Sequence, residues 1–280
     1  MDSRQCDVVV VGAGNAAMAA ALSASARGAR VLVLEAAADD DWGGNTRYAA
    51  GQMRTTFSGV DDLRRVIPDL TDEEVAQSDF GSYSRAEYLE DVGRLTGYRC
   101  NPDLVETLVD NSLETLVWMK DHGVRFQASF GRQAVKVDGR FRFWGSLPCE
   151  VWGGGPGILD AWYKAAAKAG VEILRGAWAS GLMLDGARVC GVRCMRDGSG
   201  LDVRARSVVL ACGGFEANAE MRARYLGPNW DLARVRGSRY NTGQGLAMAT
   251  AIGASTCGHW SGADRKSTRL NSSHGYISYA

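Results

Sequence analysis

Residues 7–35 constrain the fold more than any other stretch of the chain. Asp7-Val8-Val9-Val10-Val11 is a continuous β-branched run, the pattern of a parallel strand buried on both faces. Gly12-Ala13-Gly14 supplies a turn. Residues 15–27 are Ala-rich and helical, and Gly28 ends that helix. Val31-Leu32-Val33-Leu34 is a second strand, closed by Glu35. This is a βαβ unit, and it commits the chain to an α/β fold with a parallel sheet.

The turn inside that unit also carries chemistry. Gly12-x-Gly14-x-x-Ala17 follows a strand and opens a helix. The first Gly permits the tight turn, the second lets a pyrophosphate approach the backbone, and the small third residue packs helix on strand. The candidate diphosphate site is therefore Gly12, Ala13, Gly14, Asn15, Ala16 and Ala17, at a helix N-terminus where orphan N–H groups point outward. Glu35, with Ala36 beside it, lies at the end of the second strand and is placed to accept hydrogen bonds from ribose hydroxyls. A carboxylate there disfavours a 2′-phosphate. The motif by itself does not separate FAD from NAD.

Composition narrows the partners. The 280 residues are 46% hydrophobic with 35 Gly, enough for a large core. Lys+Arg and Asp+Glu each number 32, so bulk charge gives no reason to expect nucleic acid or an acidic membrane as partner. No apolar run approaches the roughly 18 residues of a membrane span. The start enters a strand pattern at once, with no signal-peptide pattern, and the seven Cys contain no CxxC pair. Both features fit reduced thiols and a cytoplasmic setting.

Further along, residues 60–150 read as a mainly helical insertion without strands of its own up to residue 123. Thr71/Glu74 and Ser84/Glu87 have capping-box spacing, and Asn101-Pro102 reads as an N-cap followed by Pro. Leu104, Val105, Leu108, Leu113, Leu116 and Val117 then recur at helical spacing up to Gly123. From 151 to 263 the pattern returns to α/β. A helix opened by Pro156 ends at Gly170, and Val171–Leu174 is a strand. Three short strands follow, with turns at Asp185-Gly186 and at 197–200. A buried strand, Ser207–Ala211, then leads into Cys212-Gly213-Gly214. Residues 1–59 hold the first part of the binding domain.

Two more stretches bear on the cofactor. Gly43-Gly44-Asn45-Thr46 through Ala50-Gly51-Gln52 is a glycine-flanked loop suited to folding against a flat ring system, and Val208–Phe215 ends in Cys-Gly-Gly-Phe. Together, GAGNAA, LEA, GGNTRYAAG, the three-strand meander and ACGGF resemble the FAD-binding flavoprotein family of fumarate reductase and succinate dehydrogenase. The stretch EANAEMRARYLGPNWDLARVRGSRYNTGQG is similar to the tricarballylate dehydrogenase-like branch. The resemblance covers roughly 7–263. It implies a Rossmann-like, glutathione-reductase-type FAD-binding domain with a β-meander and a helical insertion. The flavin edge would lie beside Asn45–Gln52 and the adenine near the backbone of Ala179. Further FAD contacts would come from Ala211, Cys212, Gly213 and Gly214, and from Asn241, Thr242 and Gly243. It also implies hydride transfer between a small polycarboxylate (tricarballylate, fumarate or succinate) and flavin N5, with electrons exchanged with a separate, often membrane-associated acceptor. A 3-ketosteroid dehydrogenase-like enzyme, a nicotinamide dehydrogenase and a non-catalytic dinucleotide-binding fragment are the alternatives.

Departures from the family pattern are informative. Ala17 replaces a third Gly, Cys212 a Thr, and Gln244 the Asp of TGDG. The covalent-flavin branch has a His at the position matching Asn45, so its absence here implies noncovalent FAD. His122 looks like a helix C-terminus, and His259 lies near the expected start of a capping domain. Trp118, Trp144, Trp152 and Trp162 read as core or interface anchors, and Arg132, Arg140 and Arg142 as a basic hairpin. No catalytic residue and no metal ligand is assigned. The resemblance implies a capping domain and a last Gly-rich segment that these residues do not contain. Residues 264–280, beginning DRKSTRLNSSH, instead resemble a translated sequencing adapter, and are expected to be a non-native, unfolded tail.

Overall fold

A computed structural model describes residues 2–38, 40–144, 147–258 and 260–261. His259 and the tail at 264–280 lie outside the described residues. In chain order, β1 (Asp2–Val11), α1 (Asn15–Ser25) and β2 (Val31–Glu35) form the first unit. A 3₁₀ turn at Gly44–Tyr48 and the short β3 (Gln52–Met53) follow. The insertion holds α2 (Val60–Val66), α3 (Asp72–Ala76), β4 (Ser78–Asp79), α4 (Arg85–Thr96), α5 (Pro102–Asp110) and α6 (Ser112–Asp121). It continues through β5 (Phe126–Ala128), α7 (Phe130–Gln133), β6 (Ala134–Val137), β7 (Arg140–Phe143) and β8 (Cys149–Val151). Then come α8 (Gly154–Lys168), β9 (Glu172–Arg175), β10 (Ala177–Asp185), β11 (Arg188–Arg196), β12 (Ser199–Leu210), α9 (Ala219–Leu226) and α10 (Gln244–Ala251).

The main sheet runs β10-β11-β12-β1-β2-β9. Its β12-β1-β2-β9 half is parallel, and β10–β11–β12 is the antiparallel meander. Val9 and Val10 are both fully buried yet belong to opposite faces, as the uninterrupted apolar run requires. Val10 and Val33 pack under α1 and α8 with Ala17, Met18 and Trp162. On the other face, Val9, Val11, Leu32 and Leu34 meet Ala177, Val192 and Val203 of the meander and Met248 of α10.

Two strands are longer than the sequence pattern implies. β1 begins at Asp2 because its first residues have a parallel partner in Leu201–Ala205 of β12. β12 itself joins the third meander strand and the return strand in one element. Its end is not buried as expected: Leu210 is 36% exposed, at the mouth of a cleft.

The insertion keeps its expected helix starts. Thr71/Glu74 and Ser84/Glu87 form reciprocal capping boxes, and the Asn101 side chain accepts from Leu104 N–H with Pro102 at the first turn. Its strand content corrects the reading. β4 pairs with β7, which pairs with β6 in one small sheet, and β3, β8 and β5 form another. These strands have two to four residues, too short for alternation to register. The run from Leu104 to Val117 is also two helices, broken at Asn111. Leu104 and Leu108 are 66% and 54% exposed, so the buried face is carried by Val109, Leu116 and Met119. Among the described residues no helix is long and apolar enough to cross a membrane.

Candidate functional site

A cleft of about 400 Å³ opens at the C-terminal ends of β1, β2 and β12, the edge where open α/β sheets bind ligands. The phosphate-turn candidates Gly12, Ala13, Gly14, Asn15 and Ala16 line it. So do Glu35, Ala36, Gly43, Gly44, Asn45, Thr46, Ala179, Ala211, Cys212, Gly213 and Asn241. Residues from opposite ends of the chain thus meet in one groove because β12 returns beside β1.

The turn explains its own sequence. Gly12 has φ +105°, and a Cβ there would stand 2.5 Å from the carbonyl oxygen of Ala211. Gly14 is the N-cap of α1 and offers no side-chain cap, so the helix start faces the cleft through backbone. Thr46 Oγ1 accepts the Asn15 N–H at 2.9 Å, and Asn15 Oδ1 accepts the indole N–H of buried Trp162 at 2.7 Å. Strand, helix, loop and α8 are therefore locked at one point.

Glu35 lies beside the turn, at the end of the neighbouring strand β2. It is 4% exposed and accepts the Ala37 N–H at 2.9 Å. Burial raises its pKa; hydrogen bonds from the backbone of Ala37, Gly43 and Ala13 and the charge of Arg175 oppose that rise. Arg175 lies 4.9 Å from the Trp42 ring and 5.5 Å from the Tyr163 ring. Burial likewise raises the pKa of the Tyr163 hydroxyl and of the Cys212 thiol.

The strap at 236–241 forms the rim. Asn45 Oδ1 accepts the Ser238 N–H at 2.8 Å, and Asn241 donates to Glu216 at 3.2 Å. Behind it, buried Arg222 donates to the carbonyls of Glu216, Trp230, Asp231 and Ala233.

Seven expected contacts lie off the groove. Ala17 lies on the buried face of α1. A Cβ at Gly51 would be 2.8 Å from Gly154 Cα, so Ala50 and Gly51 back onto α8. Gln52 donates to Ser129 at 3.1 Å, which donates to Glu150 at 3.0 Å. Gly243 N–H donates to Gly214 O, and Thr242 O accepts from Asn218, so Gly214, Thr242 and Gly243 brace the wall from behind. Conversely, Val11, Leu34, Ala177, Trp178, Leu210, Tyr240 and Gln244 line the cleft and were not anticipated. Only Gln244 had a sequence signal, its place in the TGxG motif.

Other candidates resolve structurally. His122 is the C-cap of α6; its Nδ1 lies 2.8 Å from Trp118 O and its ring 4.0 Å from that indole. Trp162 is fully buried, whereas Trp144 and Trp152 are 54% and 57% exposed and are not core anchors. β6 and β7 form a hairpin carrying Arg140, which donates to Ser78 O, and Arg142, whereas Arg132 sits before it on α7 and faces Glu150. Among the described residues no group of His, Cys, Asp and Glu could hold a metal.

The groove suits a dinucleotide such as FAD: a helix start free of a side-chain cap for the diphosphate and a buried carboxylate for a ribose line the same cleft. The sequence profile of the FAD binding domain family matches residues 7–260. The chain is 28% identical over 254 residues to the NADH:fumarate oxidoreductase of Klebsiella pneumoniae, covering 89% of this chain and 25% of that protein. The flavocytochrome c3 fumarate reductase in its open conformation superimposes with TM-score 0.70 at 27% identity, over 91% of this chain and 41% of that one. The 3-ketosteroid-Δ4-(5α)-dehydrogenase of Rhodococcus jostii RHA1 shares the fold, with TM-score 0.72 at 24% identity, over 91% and 55%. The chain spans between a quarter and a half of the length of the curated relatives it matches. It belongs to the FAD binding domain family, and its cofactor is FAD.

Proposed function

We propose that this chain is the FAD-holding portion of an oxidoreductase that moves a hydride between a small polycarboxylate and the flavin. The observation that carries the reading is the groove itself, lined together by the Gly12–Ala16 turn and Glu35. Bound FAD supplies a two-electron acceptor at N5. The chain's own residues do the rest of what is described. The α1 start meets the diphosphate charge, Glu35 orients a ribose, and the Gly43–Thr46 loop approaches the flavin half. Asn45 stands where a covalent-flavin enzyme has His, and its side chain is taken by Ser238 N–H, which supports noncovalent FAD. The carboxylate class, with tricarballylate favoured on the likeness of residues 216–245, is supported by the fumarate-acting relatives. Electrons would pass to or from a separate acceptor.

The test loads purified protein with FAD and precipitates it in acid. A yellow supernatant is expected; flavin retained in the pellet would refute noncovalent binding. For the substrate class, dye-linked oxidation of succinate and tricarballylate is measured beside a 3-ketosteroid, in a version whose reading frame is extended to the length of its relatives. Oxidation of the steroid alone would replace the polycarboxylate reading with the ketosteroid one.

A further inference from the structure

The strap is anchored at both ends, and its middle is tied to segments that line the cleft. At one end Arg222 takes the carbonyls of Asp231 and Ala233. At the other, Asn241 O accepts the Ala217 N–H at 2.9 Å, and the Asn241 side chain donates to Glu216 at 3.2 Å. Residues 233–241 belong to no helix or strand, and Arg234, Val235 and Arg236 are exposed.

The middle of the strap meets two elements distant in sequence. Asn45 Oδ1 accepts the Ser238 N–H at 2.8 Å and Arg239 pairs with Asp41 at 3.5 Å, so two ties run to the loop after β2. The Tyr240 ring packs on Trp178 of β10, with centroids 6.1 Å apart. Asn45, Trp178, Tyr240 and Asn241 all line the cleft, so these contacts join separate parts of its rim. Each tie is weak. One is a single hydrogen bond, one an ion pair with side chains 63% and 40% exposed, and one a tilted ring contact. A segment held in this way opens at far lower cost than the buried strands β1 and β2.

We propose that residues 236–241 are a latch on the cofactor cleft: FAD enters and leaves while the ties to Asn45 and Asp41 are broken, and exchanges slowly while they are made. The inference rests on the FAD reading above and adds to it the step that controls how fast the cofactor exchanges. The latch closes over the empty and the filled cleft alike. Loosening it therefore speeds entry and exit by one factor and leaves the affinity where it was.

Gly237 offers a way to break the tie without touching Asn45. Its φ is not in the left-handed region, so the backbone accepts alanine, yet the added Cβ would stand 2.5 Å from Asn45 Oδ1 and push it off Ser238. The experiment follows FAD entry into flavin-free protein by stopped-flow fluorescence and FAD release on dilution, giving both rates and Kd. Gly237→Ala should raise both rates by about 2- to 10-fold, the range of one hydrogen bond, with Kd unchanged. Arg239→Gln and Asp41→Asn should each raise both rates by about two- to fivefold. These two variants change the net charge in opposite directions, so a shared rise is not electrostatic steering of FAD. Faster release with unchanged entry in Gly237→Ala would make the strap a mere contact of the cofactor and overturn the latch. Rates equal to the parent's in all three variants would overturn it too, with the FAD reading intact. If Gly237→Ala does not fold, the two exposed variants decide alone. A parent that takes up no FAD would sink both readings.

Discussion

Glu35 and Arg175 are register partners at the ends of two neighbouring parallel strands, β2 and β9. The pairing places a cation, held against Trp42 and Tyr163, beside the carboxylate that lines the cleft. Burial still wins, and Glu35 titrates above its ordinary 4.5. A carboxyl whose folded pKa is raised favours the protonated fold. Its contribution to stability is full below 4.5 and is lost as pH rises through the folded value.

Two outcomes follow for Glu35. In flavin-free protein, the thermal midpoint of Glu35→Gln should gain on the parent as pH rises from 4.5 to neutrality, measured by calorimetry across that range. FAD affinity should behave oppositely, since ribose hydroxyls donate to the charged form, and it should fall as the parent is acidified through the raised pKa. Among the described residues, the groups facing Glu35 (Arg175, Tyr163, Cys212 and the backbone of Ala13, Ala37 and Gly43) include no second carboxylic acid that would give the same curve. FAD affinity flat over that interval in the parent would remove the carboxylate from the site.

Gly12 and Gly14 should fail differently when substituted. At Gly12, φ +105° and the Ala211 carbonyl both forbid a side chain, so Gly12→Ala should unfold the turn and lower the melting temperature by several degrees. Gly14 has φ −78°, and a Cβ added there would stand 3.2 Å from both Gly43 O and Thr46 Oγ1. Gly14→Val should therefore leave a folded protein that has lost FAD retention, because its branches stand where the diphosphate meets backbone. Equal FAD content in Gly14→Val and parent would move the diphosphate elsewhere.

Trp162→Phe keeps the apolar body of a fully buried ring but deletes the donor to Asn15 Oδ1. An orphaned acceptor costs about 1–3 kcal/mol. The loss should be smaller in the double variant Trp162→Phe/Asn15→Ala, read by denaturant melts, because both partners then disappear together.

Arg222 satisfies four carbonyls from the 216–233 segment while only 7% exposed. Arg222→Met should destabilise by about 3 kcal/mol, since it leaves several buried acceptors unpaired. The damage should appear first at the strap, as faster amide exchange at Ser238 and Asn241 than in β1. Uniform exchange rates would argue against a local role.

The sequence by itself determined the βαβ unit, the turn at Gly12–Gly14, Glu35 at the strand end and the helix caps at Thr71, Ser84 and Asn101. Each is written in residues within a few positions of one another, where backbone sterics and local hydrogen bonds decide. Only the tertiary structure decided the rest. Leu104 and Leu108 follow a helical period yet face outward, because which face of α5 is covered depends on its neighbours. The short strands of the insertion exist through distant partners, as in Met53 against Cys149, 96 positions away. Gln52 turned to Ser129 instead of the groove, and Trp178 and Tyr240 met across it, because long-range pairing of β12 with β1 fixes where the meander and the strap come to rest. Such contacts join residues with no shared local pattern, so nothing in either segment alone could have announced them.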